Sequence, residues 1–162
     1  MKKFTAILIS TFFLASTAMA APKKGVSVSV ELSPAGSFEI TGKVKGSVKK
    51  TGAGYEAKKL SFAVKKLKTG MDLRDKHTKE KLEYKKHSDV VVTDAKGSGG
   101  KGSAMISVRG VSKKISFNFK ESGKYIVAKF KLNLKDFGFS GINYMGVGVK
   151  DSVEVSAVVP VK

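Results

Sequence analysis

The chain contains no cysteine among its 162 residues. Disulfide bonds and thiolate metal sites are therefore excluded, and the fold must be held together by its apolar core alone. After the first fifteen residues, the chain also lacks any apolar run long enough to cross a membrane as a helix. A single domain of this length can bury enough apolar surface to be stable without disulfide bonds or bound metal.

Signatures of catalysis are missing as well. There is no Gly-x-Ser-x-Gly sequence, and the glycine-rich stretch from Gly97 to Gly102 lacks the Walker pattern and precedes no helix. Asp136 and Asp151 fall in predicted turns, where aspartate is common because it bonds to its own backbone. We therefore expect neither an enzyme nor catalytic residues.

A metal site is the remaining chemical alternative. His77, Glu80, Glu83 and His87 carry groups that bind metals, but their spacing offers no three convergent ligands on a helix. A hydrolase or metal-dependent enzyme that uses these histidines is the least favoured of three functional hypotheses. We expect no metal and no cofactor.

Residues 1–20 have the pattern of a secretory signal peptide. Lys2 and Lys3 precede an apolar run from Phe4 to Ala15, and small residues at 18–20 form a cleavage signature. Cleavage after Ala20 would leave residues 21–162 as one domain. The predicted location is the periplasm or the extracellular medium.

Arginine is scarce, and lysine supplies nearly all of the positive charge. The formal net charge is +18 at pH 7, and Arg74 and Arg109 are the two arginines. Such a field attracts acidic partners, including membrane surfaces, but specific nucleic-acid recognition relies on arginine and accessible aromatics, so we do not expect it. The same lysines can serve only to keep a strand-rich protein soluble.

Alternating apolar and polar residues predict strands along most of the chain. Runs of this kind separated by turn residues are typical of an antiparallel meander, as either a sandwich or a barrel. The runs lie near residues 26–30, 38–44, 60–64, 90–92, 106–108, 115–119, 126–134 and 153–157.

The stretch from Thr69 to Ser88 breaks this pattern. It is rich in charged residues with a thin apolar stripe, and its spacing predicts a helix over residues 72–84. Asp72 is placed to cap the helix, and Asp75 adds an acidic group to the first turn. The fold class is therefore all-β, with about eight strands and one inserted helix.

Four stretches resemble the YceI-like family. MDLRDKH at 71–77 is similar to the family's Arg-Asp-x-His segment, and SVRGVSKKI at 107–115 to its strand connection. DFGF at 136–139 resembles an Asp-Phe-Gly-Ile turn, and GVGVKDSV at 146–153 resembles the closing strand. At 82–88 the chain departs from the family, because LE and KKHS stand where members often show Tyr-Pro before the next strand.

The resemblance implies an eight-stranded antiparallel lipocalin-like β-barrel, with the helix inserted between strands 3 and 4. It implies an interior that holds an isoprenoid or similar lipid, for transport or sequestration, with a link to stress as one option. Arg74, Asp75 and His77 match the family's helix motif and are candidates for polar groups at the barrel mouth.

Strand alternation also names the side chains that would face such an interior, although the pattern alone cannot distinguish a cavity from a packed core. The inward candidates are Phe38, Ile40, Phe62, Val64, Ile106, Val108, Ile115, Phe117, Phe119, Ile126, Phe130 and Leu132. The alternative function is a lysine-rich module that binds acidic surfaces and holds no internal ligand. Whether the protein is a monomer or a homodimer stays open.

Overall fold

A computed structural model describes residues 22–144 and 146–162 of the chain. The predicted signal peptide at residues 1–20 lies outside the described residues. The strands are β1 (Gly25–Ser33), β2 (Ser37–Gly42), β3 (Val44–Lys45), β4 (Lys49–Thr51), β5 (Gly54–Ala63), β6 (Asp89–Ser98), β7 (Lys101–Val108), β8 (Val111–Ser122), β9 (Tyr125–Asn133), β10 (Asn143–Tyr144) and β11 (Val147–Pro160). The α-helix α1 spans Asp72–Lys81, and two 3₁₀ helices span Val64–Lys66 and Leu134–Phe137.

All strands belong to one antiparallel sheet that curls into a barrel. The order around the sheet is β2-β1-β11-β9-β8-β7-β6-β5-β3, with β10 added to β11 and β4 added to β5. β2 and β3 are separated only by Lys43, and they pair with β1 and β5 respectively. One bent strand therefore joins the two ends of the sheet and closes the barrel.

Close backbone packing at two glycines permits this bend. A Cβ atom on Gly42 would lie 2.1 Å from Cε2 of Phe62, so the Phe62 ring occupies the space beside that backbone. Gly46 has a φ of 108°, and a Cβ there would lie 2.7 Å from the carbonyl oxygen of Lys59 on β5. We call the pairing of β3 with β5 the seam of the barrel. Shortly after β3, the N–H of Val48 donates to the carbonyl oxygen of Pro160 and its carbonyl accepts from the N–H of Lys162, both at 2.9 Å, which ties β11 to the same segment.

The barrel wall loosens between β8 and β9. These strands form a hairpin that is paired only from Asn118–Lys129 to Ser122–Tyr125, although both strands continue well beyond it. Phe137 and Phe139, from the connection after β9, are buried against Ile115 and Leu132 beside this divergence. The connection thus fills a place where the sheet itself is not continuous.

Two buried clusters lie toward opposite ends of the barrel. One, toward the helix, contains Ala104, Ile106, Val108, Ile115, Phe137 and Phe139. The other contains Val44, Val48, Ala57, Ile126 and Val159. None of the helices in residues 22–144 and 146–162 is both long enough and apolar enough to cross a membrane.

The predicted all-β barrel with one inserted helix is confirmed. The sheet path has nine strands where eight were predicted, because the bend at Lys43 divides one strand into β2 and β3. The helix ends at Lys81, and turns replace the predicted helical residues 82–84. The predicted capping role of Asp72 is wrong: Met71 is the N-cap residue, and no side chain caps the helix there.

Because the seam is closely packed, we expect the stability of the fold to be sensitive to added volume there. We expect Gly46→Ala to lower the free energy of unfolding by about 1–3 kcal/mol, because its methyl group would meet the Lys59 carbonyl and the left-handed backbone would be strained. Urea denaturation measures this change. Gly52→Ala is the matched control, since nothing lies within 4 Å of the added atom. Equal stability of the two variants would contradict the proposed role of the seam.

Candidate functional site: an apolar cavity with one polar mouth

The barrel encloses a cavity of about 690 Å³. Its walls come from every long strand, and nearly all of the lining side chains are aliphatic or aromatic. A volume of this size lies within the range of sites that hold one small molecule. The interior is therefore not a solid core, which the sequence pattern alone could not decide.

Eleven of the twelve inward candidates line this cavity. They are Phe38, Ile40, Phe62, Ile106, Val108, Ile115, Phe117, Phe119, Ile126, Phe130 and Leu132. Val64 is the exception and corrects the predicted set. Strand β5 ends at Ala63, so Val64 begins a 3₁₀ helix and is buried, 1% exposed, away from the cavity lining.

Further lining residues come from strands that the candidate set left out. Val26, Val28 and Val30 of β1 face the cavity, as do Val153 and Val155 of β11. Their alternation is as regular as that of the twelve candidates, so the sequence pattern was sufficient to predict that they face inward. Phe137 and Phe139 carried no such signal, because they lie in an irregular connection rather than in an alternating strand.

The helix covers one end of the barrel and forms the mouth of the cavity. Met71, Leu73, Arg74, His77 and Lys81 all line it. Met71 and Leu73 are also 55% and 52% exposed, so the cavity reaches solvent beside the start of α1. The mouth therefore combines two apolar side chains with two cations and an imidazole.

Arg74 is held in place at this mouth. Its guanidinium carbon lies 4.5 Å from the centroid of the Phe38 ring, a cation–π geometry. It donates hydrogen bonds to the carbonyl oxygen of Thr69 at 3.3 Å and to Sδ of Met71 at 3.0 Å. The positive group is thus fixed where the apolar lining meets solvent.

Asp75 has a different position from the other two helix candidates. It is 3% exposed, does not line the cavity, and accepts hydrogen bonds from the backbone N–H and hydroxyl of Thr69 at 2.6 and 2.7 Å. Lys68 Nζ lies 3.2 Å from its second carboxylate oxygen. The Thr69 hydroxyl bond is the main cause that lowers the pKa of Asp75, with Lys68 assisting. Asp75 therefore anchors the segment that enters the helix.

The two histidines lie apart. His77 lines the mouth, with Nδ1 3.8 Å from Glu80, whereas His87 Nε2 lies 3.8 Å from Glu83 and packs against Gly110. Across residues 22–144 and 146–162, no three or more His, Asp or Glu side chains come together in a way that could hold a metal ion.

Arg109 ties the helix to the barrel wall. Its guanidinium donates to the carbonyl oxygens of Gly138 at 2.8 Å, Phe137 at 3.4 Å and Lys81 at 3.5 Å. The same group lies 4.3 Å from the centroid of the Phe139 ring. One side chain from the β7–β8 turn thus joins the end of α1 to the connection that fills the gap beside β8.

The far end of the cavity is closed by aromatic side chains. Tyr55 and Phe119 meet edge to face, with ring centroids 5.8 Å apart, and Phe117 lies next to Phe119. The Tyr55 hydroxyl donates to the carboxylate of Glu121, and this bond raises the pKa of Tyr55. The cavity consequently has one polar mouth and one aromatic end.

An antiparallel barrel with a helix across one end and an apolar cavity that opens beside that helix defines the class of lipocalin-like barrels, whose interior has room for a hydrophobic guest. Residues 19–161 match the family described as the YceI-like domain. The chain belongs to this family, which confirms the resemblance found in its sequence. No protein with curated annotation is similar enough in sequence to match the chain.

Solved structures share the fold at low sequence identity. BcnA of Burkholderia cenocepacia is 14% identical, with a TM-score of 0.62 over 82% of this chain and 94% of that one. A polyisoprenoid binding domain from Saccharophagus degradans, implicated in plant cell wall breakdown, is 18% identical, with a TM-score of 0.60 over 86% and 93%. A mutant CJ YCEI protein with a monobromobimane guest is 18% identical, with a TM-score of 0.52 over 98% of both chains.

The bonds of Asp75 predict a loss of stability in acid. Because its pKa is lower in the folded than in the unfolded protein, its contribution is present above the unfolded value of about 3.9 and is lost as the pH falls through the folded value. In Asp75→Asn, which keeps the acceptor oxygen, this part of the pH dependence should disappear. Urea unfolding from neutral pH to about pH 2 measures it.

Asp72→Asn is the control for that comparison. It removes a carboxylate from the same helical turn but no bond to Thr69, so it should retain the acid-dependent loss. If Asp75→Asn and the wild type lose stability in parallel over this pH range, the anchoring role of the Asp75 charge is wrong.

From the contacts of Arg109 we expect a loss of stability in its alanine variant that lysine at the same position does not fully restore. We expect Arg109→Ala to lower the free energy of unfolding by about 1–3 kcal/mol and to expose the amides of residues 134–139 to hydrogen exchange. Arg109→Lys should keep only part of the stability that Arg109→Ala loses, because one ammonium group cannot make all the hydrogen bonds of the guanidinium. Lys114→Ala, an exposed lysine on β8, should change stability by less than about 0.5 kcal/mol. Full recovery with lysine would contradict the role of the guanidinium.

Proposed function

We propose that this protein is an exported, non-catalytic carrier that holds an isoprenoid or a similar long apolar molecule inside its barrel. The observation that carries the proposal is the barrel cavity of about 690 Å³, whose walls are almost entirely apolar. A cavity of this character favours a hydrocarbon over any polar guest, because polar groups buried without partners are destabilised.

Burial of hydrocarbon is sufficient to bind such a guest. Each buried CH₂ contributes about 0.8 kcal/mol, so a few isoprene units exceed the free energy lost on association. No bond has to be made or broken, and the lipid is cargo rather than a cofactor. A carrier or sequestering role follows from this chemistry, and a stress-related use is one setting for it.

The two ends of the cavity support a preferred direction for the guest. Arg74 and His77 at the mouth would orient a polar headgroup, and the apolar tail would extend toward Tyr55 and Phe119. The tail would then contact the eleven inward side chains that line the barrel. Asp75 acts indirectly in this scheme, by fixing the turn that precedes Arg74.

The family membership and one structural neighbour support the ligand class. The Saccharophagus degradans domain, which is described as polyisoprenoid binding, shares this fold. A long branched hydrocarbon also suits a cavity that runs along the barrel and is lined by valine, isoleucine and phenylalanine.

Export completes the proposal and rests on the first twenty residues. We propose that cleavage after Ala20 releases the domain into the periplasm or the medium. Intact mass and N-terminal sequencing of the protein from the periplasmic fraction test this. A mature chain that begins at Ala21 supports export, and a full-length cytoplasmic chain would exclude it.

Organic extraction of the protein purified from its native host tests the ligand class. Mass spectrometry of the extract should show one or a few polyprenyl or similar long-chain lipids in stoichiometric amounts. The delipidated protein should take up an added polyprenol. No recovered lipid combined with no uptake would overturn the carrier proposal.

Filling the cavity should block binding while the fold is kept. Ala128 lines the cavity from β9, and we expect Ala128→Phe to weaken polyprenol binding about tenfold or more, since the added ring occupies space that methylene groups would fill. A fluorescent polyprenol displacement titration measures this. Ser116→Phe adds the same side chain at an exposed position on β8 and should bind normally. Equal affinities of the two variants would place the ligand outside the barrel.

A further inference from the structure

Two exposed apolar side chains stand at the edge of the cavity mouth. Among residues 22–144 and 146–162, the large apolar side chains with the greatest exposure are Met71, Leu73 and Met105, at 55%, 52% and 37%. Met71 and Leu73 flank the N-terminus of α1 and both line the cavity. Met105 lies on β7 opposite Lys114 and takes no part in the cavity lining. The apolar exposure is therefore concentrated at the opening.

Basic residues outnumber acidic ones around this apolar pair, although the exposed Asp72 lies between Met71 and Leu73. Arg74 and Lys81 lie on the lining of the mouth, and the side chain of Lys68 is 68% exposed just before the helix. The segment 64–88 carries nine basic and four acidic residues, and one of the acidic residues is the buried Asp75. Apolar side chains within a basic surface are the features of a protein face that binds an anionic lipid surface.

We propose that the mouth of the cavity docks on an anionic lipid bilayer, with Met71 and Leu73 entering the headgroup layer and the surrounding cations contacting lipid phosphates. The proposal rests on the proposed function in one respect: a guest drawn from a bilayer could pass into the barrel without crossing water. Binding to the membrane itself depends only on the exposed face.

Charge complementarity selects this occupant over a second copy of the chain. Two copies joined mouth to mouth would bring their basic segments together, and like charges across an interface disfavour association. An anionic bilayer supplies both the apolar layer and the opposite charge. The same charges make the interaction sensitive to salt, since exposed pairs are screened at moderate ionic strength.

Sedimentation with vesicles tests the docking. The wild-type domain should bind vesicles of phosphatidylcholine with a minor fraction of phosphatidylglycerol, and added salt or pure phosphatidylcholine should weaken binding. Met71→Ser with Leu73→Ser should reduce binding about tenfold, because the apolar anchors are lost. Met105→Ser is the matched control and should bind as the wild type does. Equal binding of the double variant and the wild type would overturn the proposal.

A single tryptophan can report the orientation, because the chain has none. The emission of Leu73→Trp should shift to shorter wavelength on anionic vesicles, and that of Met105→Trp should stay unchanged. Equal shifts for both variants would show that the protein binds without this orientation and would overturn the assignment of the mouth. Dimers in solution that disappear in the Met71→Ser, Leu73→Ser variant would also overturn it, in favour of a second copy as occupant.

Ligand transfer separates this proposal from the proposed function. Because Met71 and Leu73 also line the cavity mouth, the double variant should lose more of its rate of polyprenol extraction from vesicles than of its affinity for the same polyprenol presented in detergent. Vesicle binding without any polyprenol uptake would overturn the carrier function and leave the docking intact. Polyprenol uptake without vesicle binding would overturn the docking and leave the carrier function intact.

Discussion

Closure of the sheet by one bent strand is the constraint on which the rest of the structure depends. Because β2 pairs with β1 and β3 pairs with β5, the inward faces of all the long strands surround a single volume. An open sheet with the same alternation would have to bury its apolar face against another layer. The close packing of Gly42 against the Phe62 ring and of Gly46 against the Lys59 carbonyl lies where this closure is made.

The two ends of the barrel differ because different parts of the chain close them. Aromatic contacts between Tyr55 and Phe119 close one end, whereas α1 covers the other and brings charged side chains to the mouth. Arg109 and Asp75 do not face a guest, but they hold the helix and its entry segment in position. The asymmetry gives an otherwise uniform apolar cavity a polar and an apolar end.

Much of this architecture could be predicted from alternation and turn residues, since a half-buried strand imposes a period of two on its sequence. The inward positions from Phe38 to Leu132 followed directly, and the family resemblance added the barrel. Val64 shows the limit of the pattern, because the alternation continues after the strand has ended. Phe137 and the contacts of Arg109 could not be predicted, since they depend on how distant loops meet at one end of the barrel.

The most direct test of the central claim is to locate the guest by photo-cross-linking. A polyprenol with a diazirine at its tail, bound to the delipidated domain and irradiated, would label the residues that it touches, and peptide mass spectrometry would identify them. The account predicts adducts at the aromatic end, on Tyr55, Phe117 or Phe119. Adducts on outward residues such as Lys129, or labelling that excess unlabelled polyprenol does not prevent, would contradict it.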